Sequence, residues 1–430
     1  MSSHITPDLL TTKPNTKPAS RKITVLGAGI VGIASALYLQ RDGHSVTVID
    51  QQGPGEGCSK GNAGILATEY MSPLATPKTM RQVPRMLLDP RGPLCIRWRY
   101  LPRLLPWLLR FMACARPKTV AANGRALAAL LTGSLDAYWP LLDQAGAHPL
   151  VHANGWVYAY ESEKSFVADR KERELQRQHG TNVKELTDSE LHELVPALSP
   201  RLRRGSLYPD AAHSVNSFRL VQVLAEDFQR RGGLLQRAIV TDVDVRDRHR
   251  IRVLTDAGPY ETDTLLIALG AWSGKLAARL GSRVPLDTER GYHVMLPNPN
   301  IKLKLPISFT EYKFVATPME HGLRLAGTVE LAGLNAPPNY KRAQVLLDHA
   351  RELLPGLDAA GHTTWMGFRP SLPDSLPVIG RSPHHANVYF AFGHQHLGLT
   401  LAAVTGRLVA DQIADRASNI DLAPYRIDRF

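Results

Sequence analysis

Between Lys22 and Asp50 the chain reads as strand, glycine turn, helix and second strand, and this run restricts the fold more than any other part of the sequence. Residues 23–26 are a short apolar strand. Gly27, Ala28, Gly29, Ile30, Val31 and Gly32 follow as G-x-G-x-x-G. A helical run from about Val31 to Gln40 ends at Asp42-Gly43, and residues 45–49 form a second strand closed by Asp50. Gly27 permits a tight turn, Gly29 lets the backbone approach a pyrophosphate, and Gly32 lets helix and strand pack closely. The helix N-terminus offers unpaired N–H groups to phosphates, and Asp50 can accept hydrogen bonds from a ribose. The pattern predicts a Rossmann-like dinucleotide-binding unit and does not by itself separate FAD from NAD.

At 430 residues the chain is long enough for two domains. Nucleotide-domain signals recur in separated places, which predicts an α/β fold with a discontinuous FAD-binding domain (21–77, 200–285 and 362–430). A mixed-sheet α+β substrate domain would take 78–199 and 286–361. Residues 1–20 are polar and read as a disordered tail. Helices are expected over 125–145, 163–179 and 218–231. A strand–turn–strand is expected around Asn154-Gly155, long strands over 290–297 and 312–330, and a Pro-rich loop over 367–380. Three cysteines without CxxC spacing argue against a disulfide framework and fit a reducing compartment. No histidine stands at metal-ligand spacing to them, so no metal is expected.

Five blocks carry a resemblance beyond the first motif: CSKGNAGIL, TLLIALGAWS, ERGYHVML, WMGFRPSLPDSLPVIG and NVYFAFGHQHLGLTLAAVTGRLVADQI. With them the sequence resembles the D-amino acid oxidase-type FAD oxidoreductases, closest to the D-amino acid dehydrogenases, from Arg21 to about Ala414. The resemblance implies non-covalent FAD, since no cysteine stands where sarcosine oxidases link theirs. It implies that Gly27, Gly29, Ile30, Gly32 and Asp50 hold the ADP half. Ser59, Asn62, Ala63 and Gly64 would lie along the flavin, Val240 near the adenine, and Gly270 and Trp272 near the pyrophosphate. Gly393, Leu397, Gly398 and Thr400 would flank the ring and ribityl chain.

The same resemblance places a substrate-carboxylate arginine at Arg369. The planar guanidinium suits that task because it binds a carboxylate with two parallel hydrogen bonds. The alternative is a structural arginine paired with Asp374. Of Tyr292 and His293, one is expected to face the substrate, since strand alternation puts them on opposite faces. His396 is expected to tune substrate choice, with a backbone-bonded loop histidine as the alternative; Tyr70, Tyr312 and Lys313 are weaker pocket candidates. The implied reaction is hydride transfer from Cα to flavin N5, giving an imino acid. The expected substrate is a small D-amino acid, with cis-4-hydroxy-D-proline or a D-proline-like one the specific expectation, implied by the resemblance of FGHQHLGLTLAAVTG to hydroxyproline-catabolic dehydrogenases. Glycine, sarcosine or another secondary amine, and an FAD-carrying subunit of an electron-transfer complex, stand as alternatives; a tRNA-modifying flavoprotein is a weaker one.

Residues 81–118 hold eight arginines and one lysine against one acid, Asp89, among Trp and Leu. Two readings stand: a patch resting on anionic lipid and admitting a quinone, or buried helices with snorkelling arginines. Pro102 and Pro106 are expected to interrupt helix here. The electron acceptor is a quinone, an electron-transfer protein or O2. The expected location is cytoplasmic, or peripheral on the inner face of the membrane. Scattered arginines without an aromatic-studded RNA motif give no expectation of nucleic acid.

Overall fold

The strand Lys22–Leu26 is buried on both faces beyond Lys22, as a parallel strand covered by helices must be. It pairs in parallel with Ser45–Asp50 on one side and Thr264–Ile267 on the other. The sheet runs Leu234–Arg237, Ser45–Asp50, Lys22–Leu26, Thr264–Ile267, Val388–Phe392 and Val378–Arg381, with the last strand antiparallel. The structure is a computed structural model that describes residues 20–247 and 250–430, so the tail expectation, Ser20 apart, lies outside the described residues.

Helix Ile30–Arg41 packs against the long last helix, Gly398–Ile413, and helix Ser217–Arg230 packs on the first of these. A Cβ at Gly406 would stand 2.9 Å from the Ala34 backbone, so these two helices touch main chain to main chain. The last helix therefore starts beside the glycine turn that starts the first.

Apart from two three-stranded sheets, a larger, mostly antiparallel sheet carries the remaining strands. Its order is Thr363–Ser371, Asp287–Leu296, Gly322–Leu331, Phe314–Met319, Ile307–Phe309, Trp156–Tyr160, Arg204–Tyr208 and Lys184–Leu186, with Leu94–Ile96 added on Gly322–Leu331. Helix Lys341–Leu353 covers one face through Leu346, Leu347 and Ala350, packed with Tyr292, Val294 and Leu325. The opposite face is left to the site.

Several expectations change. The 367–380 loop is mostly strand: Thr363–Ser371 pairs with Asp287–Leu296. Pro370 is tolerated there because the strand lies at the sheet edge and needs no second partner. Asn154-Gly155 does not join a hairpin, because Val151–His152 pairs with Ala212–Ser214 while Trp156–Tyr160 pairs with Arg204–Tyr208. Residues 125–145 split into Pro117–Leu131 and Ser134–Ala145 at Gly133, whose φ is +73°. Residues 312–330 split into two strands, Phe314–Met319 and Gly322–Leu331. Pro106 lies inside helix Leu101–Cys114 rather than ending it, and Pro102 occupies its first turn. Helix Ser134–Ala145 packs on the last helix, and strand Arg204–Tyr208 belongs to the larger sheet, so the sheets partition the chain differently from the expected boundaries at those points.

The glycines of the first turn answer to different neighbours. A Cβ at Gly32 would stand 1.9 Å from the Gly27 carbonyl oxygen, and one at Gly27 (φ +108°) 2.4 Å from that of Ala268. A Cβ at Gly29 would meet nothing closer than Ser59 Oγ at 3.6 Å. The fold itself requires Gly27 and Gly32; Gly29 is required by what approaches it. Gly32→Val is expected to cost at least about 3 kcal/mol by overpacking against backbone, lowering the melting temperature in circular dichroism. Gly29→Val is expected to melt like wild type and lose flavin absorbance after gel filtration.

Candidate active site

Two adjoining cavities lie at the meeting of the two sheets. The first is an open crevice bordered by the glycine turn, Asp50, Val240, Gly270, Trp272, Gly393 and Gly398. The second lies against the larger sheet and is bordered by Tyr70, Trp156, Tyr158, Lys313, Trp365, Arg369 and His396. Cys58, Asn62 and Gln395 border both, so the two spaces adjoin along the loop 58–62 and the start of the last helix.

The crevice suits a dinucleotide. Asp50 accepts hydrogen bonds from Ala28 N–H and Gln52 N–H, each at 2.8 Å. Each carboxylate oxygen keeps a further lone pair for a ribose hydroxyl. Ser59 Oγ accepts from Ile30 N–H at 3.1 Å, at the first turn of the helix. The N-termini of helices Ile30–Arg41 and Gly398–Ile413 both reach the crevice, and neither has a side-chain cap from its own N-cap residue. Such ends favour negative charge. With the room beside Gly29, these features fit the pyrophosphate and ring system of FAD.

Four of the expected cofactor residues also have structural parts. Gly32 is a packing glycine. Gly64 (φ +84°) serves a turn, where a Cβ would stand 2.6 Å from the Ser214 carbonyl oxygen. Leu397 packs into the hydrophobic core. Thr400 is buried and accepts from Ala67 N–H at 2.9 Å, tying the last helix to the loop after Gly64. Ala63 borders the second cavity, and Asn62 Oδ1 accepts from Gly64 N–H at 2.8 Å.

Arg369 lies on the edge strand, and its side chain crosses the neighbouring strand at Gly291. A Cβ at Gly291 would stand 2.2 Å from the guanidinium carbon. Beyond it, Nη1 donates to the Thr328 carbonyl at 2.9 Å and Nη2 to that of Gly327 at 3.5 Å. Thr328 holds a left-handed backbone (φ +56°) to present that carbonyl. The guanidinium has no ion pair among the described residues; the expected alternative partner, Asp374, binds Arg429 at 2.7 Å. Glu289 is the cross-strand partner of Arg369. Burial pushes its carboxyl up, against the hydrogen bond from Ser371 and the charge of Arg369.

Tyr292 and His293 do lie on opposite faces; Tyr292 borders the second cavity with its hydroxyl engaged elsewhere, and His293 is not among the residues that border it. Tyr292 donates to Glu330 at 2.6 Å and accepts from Asn339 N–H at 2.8 Å, on the face covered by helix Lys341–Leu353. Its hydroxyl is therefore engaged away from the cavity. The His293 ring stacks on Trp365, with centroids 5.1 Å apart, and its Nδ1 lies 3.0 Å from the Gly61 carbonyl. Burial lowers its pKa to about 3, so it stays neutral behind Trp365. His396 does border the second cavity, edge-on to Tyr70 at 4.7 Å, and its Nε2 has no hydrogen-bond partner. Burial, with the charge of Arg369, lowers it to about 4. Tyr312 lies outside the cavity, bonded to Glu161 and Arg201.

Sequence reasoning missed Trp365, whose indole lies over the bare backbones of Gly61 and Gly367, and Gln395. Gln395 has a left-handed backbone (φ +51°), and its amide donates to Ser371 Oγ (3.1 Å) and the Leu372 carbonyl (2.8 Å). A glutamine between two histidines is a visible signal for it; Trp365 needed the strand register. Glu69 was missed too. It is 1% exposed, neither carboxyl oxygen has a partner, and burial pushes its pKa to about 8. The folded state thus keeps a proton that the unfolded chain releases above about 4.5, and the penalty grows from there to pH 8. Glu69→Gln is expected to raise the melting temperature by more at pH 8 than at pH 5.

Residues 22–412 match the family model described as FAD dependent oxidoreductase (DAO). The chain is 38% identical over 420 residues to a D-amino-acid oxidase of Bradyrhizobium diazoefficiens, covering 96% of this chain and all of that one. It is 32% identical to a D-amino acid dehydrogenase of Paramagnetospirillum magneticum, covering 95% and 99%. Among solved structures, glycine oxidase from Geobacillus kaustophilus matches with a TM-score of 0.71 at 22% identity, covering 96% and 99%, which bears on the fold alone. Motif, crevice and whole-length similarity agree: the chain belongs to the D-amino acid oxidase family of FAD-dependent oxidoreductases.

Proposed function

We propose that the chain oxidises a D-amino acid at Cα, with Arg369 clamping the α-carboxylate. The observation that carries this is a guanidinium bordering the second cavity, held by two carbonyls and left without an anion. A carboxylate would complete it with charge-assisted hydrogen bonds. The relatives named D-amino acid oxidase and D-amino acid dehydrogenase support the substrate class.

Bound FAD, held without a covalent link, supplies the hydride acceptor. The residues of the chain supply placement, which is worth several kcal/mol of barrier. Arg369 fixes the acid group, while Trp365 and Tyr70 wall the cavity around Cα. The Cα–H bond breaks with its electron pair, and the amine lone pair closes C=N; water then hydrolyses the released imino acid. The reaction needs a neutral amine. His396, neutral with a free Nε2, can accept a hydrogen bond from the amine, while its pKa of about 4 leaves the ammonium proton to go to water. Burial pushes the Cys58 thiol up, away from the thiolate that covalent attachment would need.

For the acceptor we infer a quinone reached from an anionic membrane surface. Helix Leu101–Cys114 buries Leu104 and Trp107 yet leaves Leu105, Leu109 and Met112 exposed on its other side. Trp98 is 70% and Leu88 83% exposed nearby in the chain. Residues 90–135 contain no acid, and Arg99, Arg103, Arg110, Arg116 and Lys118 are exposed without an ion pair among the described residues. Apolar side chains ringed by cations fit an anionic lipid interface. No helix among the described residues is long and apolar enough to cross a membrane.

Arg369→Ala is expected to keep FAD and lose at least about 100-fold in kcat/KM, the worth of two charge-assisted hydrogen bonds. Gly291→Ala is expected to displace the guanidinium and raise KM with flavin absorbance unchanged. Wild-type turnover in Arg369→Ala would refute the clamp. The protein is expected to sediment with phosphatidylglycerol vesicles and not with phosphatidylcholine ones. A Leu105→Ser/Leu109→Ser/Met112→Ser variant is expected to stay in solution and still reduce a soluble dye; binding by that variant would refute the membrane reading.

A further inference from the structure

The cavity beside Arg369 holds a second cation that the oxidation chemistry does not use. Lys313 lies in the turn between strands Ile307–Phe309 and Phe314–Met319, closed by its N–H donating to the Phe309 carbonyl at 2.9 Å. Its backbone is left-handed (φ +56°), a strained conformation for a lysine. Its accessible surface borders the cavity, and the surrounding protein holds its ammonium below the usual lysine range.

No anion claims it. Asp169 is close enough to be felt, but it is paired with Lys78. Glu311 is felt more weakly; one of its oxygens accepts from Glu161 N–H, and neither acid makes an ion pair with Lys313. No Asp or Glu borders the cavity, and His396 there is neutral, so its two charged side chains are both positive. Thr310 borders it beside Lys313, and its buried hydroxyl oxygen has no partner.

The register relates the two cations. Arg369 reaches across Gly291 to the carbonyls of Gly327 and Thr328. Gly327 is the cross-strand partner of Phe314, the residue after Lys313. The turn carrying Lys313 thus adjoins, one strand over, the carbonyl that holds the guanidinium, and both cations border one cavity. A short diacid lying in that cavity can meet one cation with each acid group. A substrate with an apolar side chain would leave the ammonium unpaired as the cavity fills, which is costly; a basic one would be repelled.

We propose that the preferred substrate carries a second carboxylate, as in D-aspartate or D-glutamate, and that Lys313 with Thr310 holds this side-chain anion. This rests on the reading of Arg369 as the α-carboxylate clamp.

The test compares D-aspartate, D-glutamate, D-alanine, D-leucine, D-lysine and cis-4-hydroxy-D-proline as substrates of the FAD-loaded protein. It also measures the thermal shift given by succinate and by propionate, which need no turnover. The dicarboxylic amino acids are expected to exceed D-alanine and cis-4-hydroxy-D-proline at least about ten-fold in kcat/KM, and succinate to stabilise more than propionate. Lys313→Gln is expected to reduce kcat/KM for D-aspartate at least ten-fold more than for D-alanine, through KM, and to abolish the succinate advantage. Lys313→Arg is expected to restore both. Turnover of D-alanine with no dicarboxylate preference, or equal losses for both substrates in Lys313→Gln, would overturn this proposal and leave the oxidation reading standing. Absence of turnover with every amino acid would overturn both.

Discussion

The site depends on holding a guanidinium in place without giving it an anion. A carboxylate partner would satisfy Arg369 and block it. The chain instead supplies two backbone carbonyls, from Gly327 and Thr328. Neutral acceptors orient the fork and leave its charge for a ligand. The surroundings follow from that choice. Gly291 must lack a side chain so that the guanidinium can pass, and Thr328 must accept a left-handed backbone to turn its carbonyl toward it. Pro370 next to the arginine is tolerable because the strand is an edge. Each is a local cost that a scaffold of packed strands can bear at a functional position.

The same economy joins the two sheets. The first and last helices approach to backbone contact at Gly406, and Thr400 ties the start of the last helix to Ala67, after Gly64. Segments hundreds of residues apart are thus fixed relative to one another where the crevice opens. Gln395 extends this link: its strained backbone and its amide bonds to Ser371 and Leu372 connect the last helix to the strand bearing Arg369. The nucleotide side and the substrate side share one hydrogen-bonded seam.

What was legible in the sequence was what is local. The glycine turn, its flanking strands and Asp50 follow from spacing within thirty residues; Arg369, expected from a resemblance carried by a short block, does border the second cavity. What was not legible depended on pairing across the chain. Asn154-Gly155 carries a hairpin signal, but the strands on either side find stronger partners in Ala212–Ser214 and Arg204–Tyr208. The prolines of 367–380 suggest a loop because sequence does not reveal that this strand lies at a sheet edge. Alternation separated Tyr292 from His293 correctly, yet which face carries the site depends on where helix Lys341–Leu353 docks. Trp365 then fills the place in front of His293, because Gly61 and Gly367 leave room for its ring.

The ionisable groups around the cavity are sorted by burial into neutral and charged sets. His293, His394 and His396 are all driven to pKa values of about 3 to 4, principally by loss of water, and stay uncharged at neutral pH. Burial moves Glu69 to about 8 and pushes Glu289 up as well, so acids near the cavity are biased toward their uncharged forms. The fixed charge that remains at the lining is that of Arg369 and Lys313. A low-dielectric wall makes each such charge count for more than it would in water. The histidines, often taken as the first sign of acid–base work, here act chiefly by staying neutral. In the proposed reading, specificity rests on these two cations.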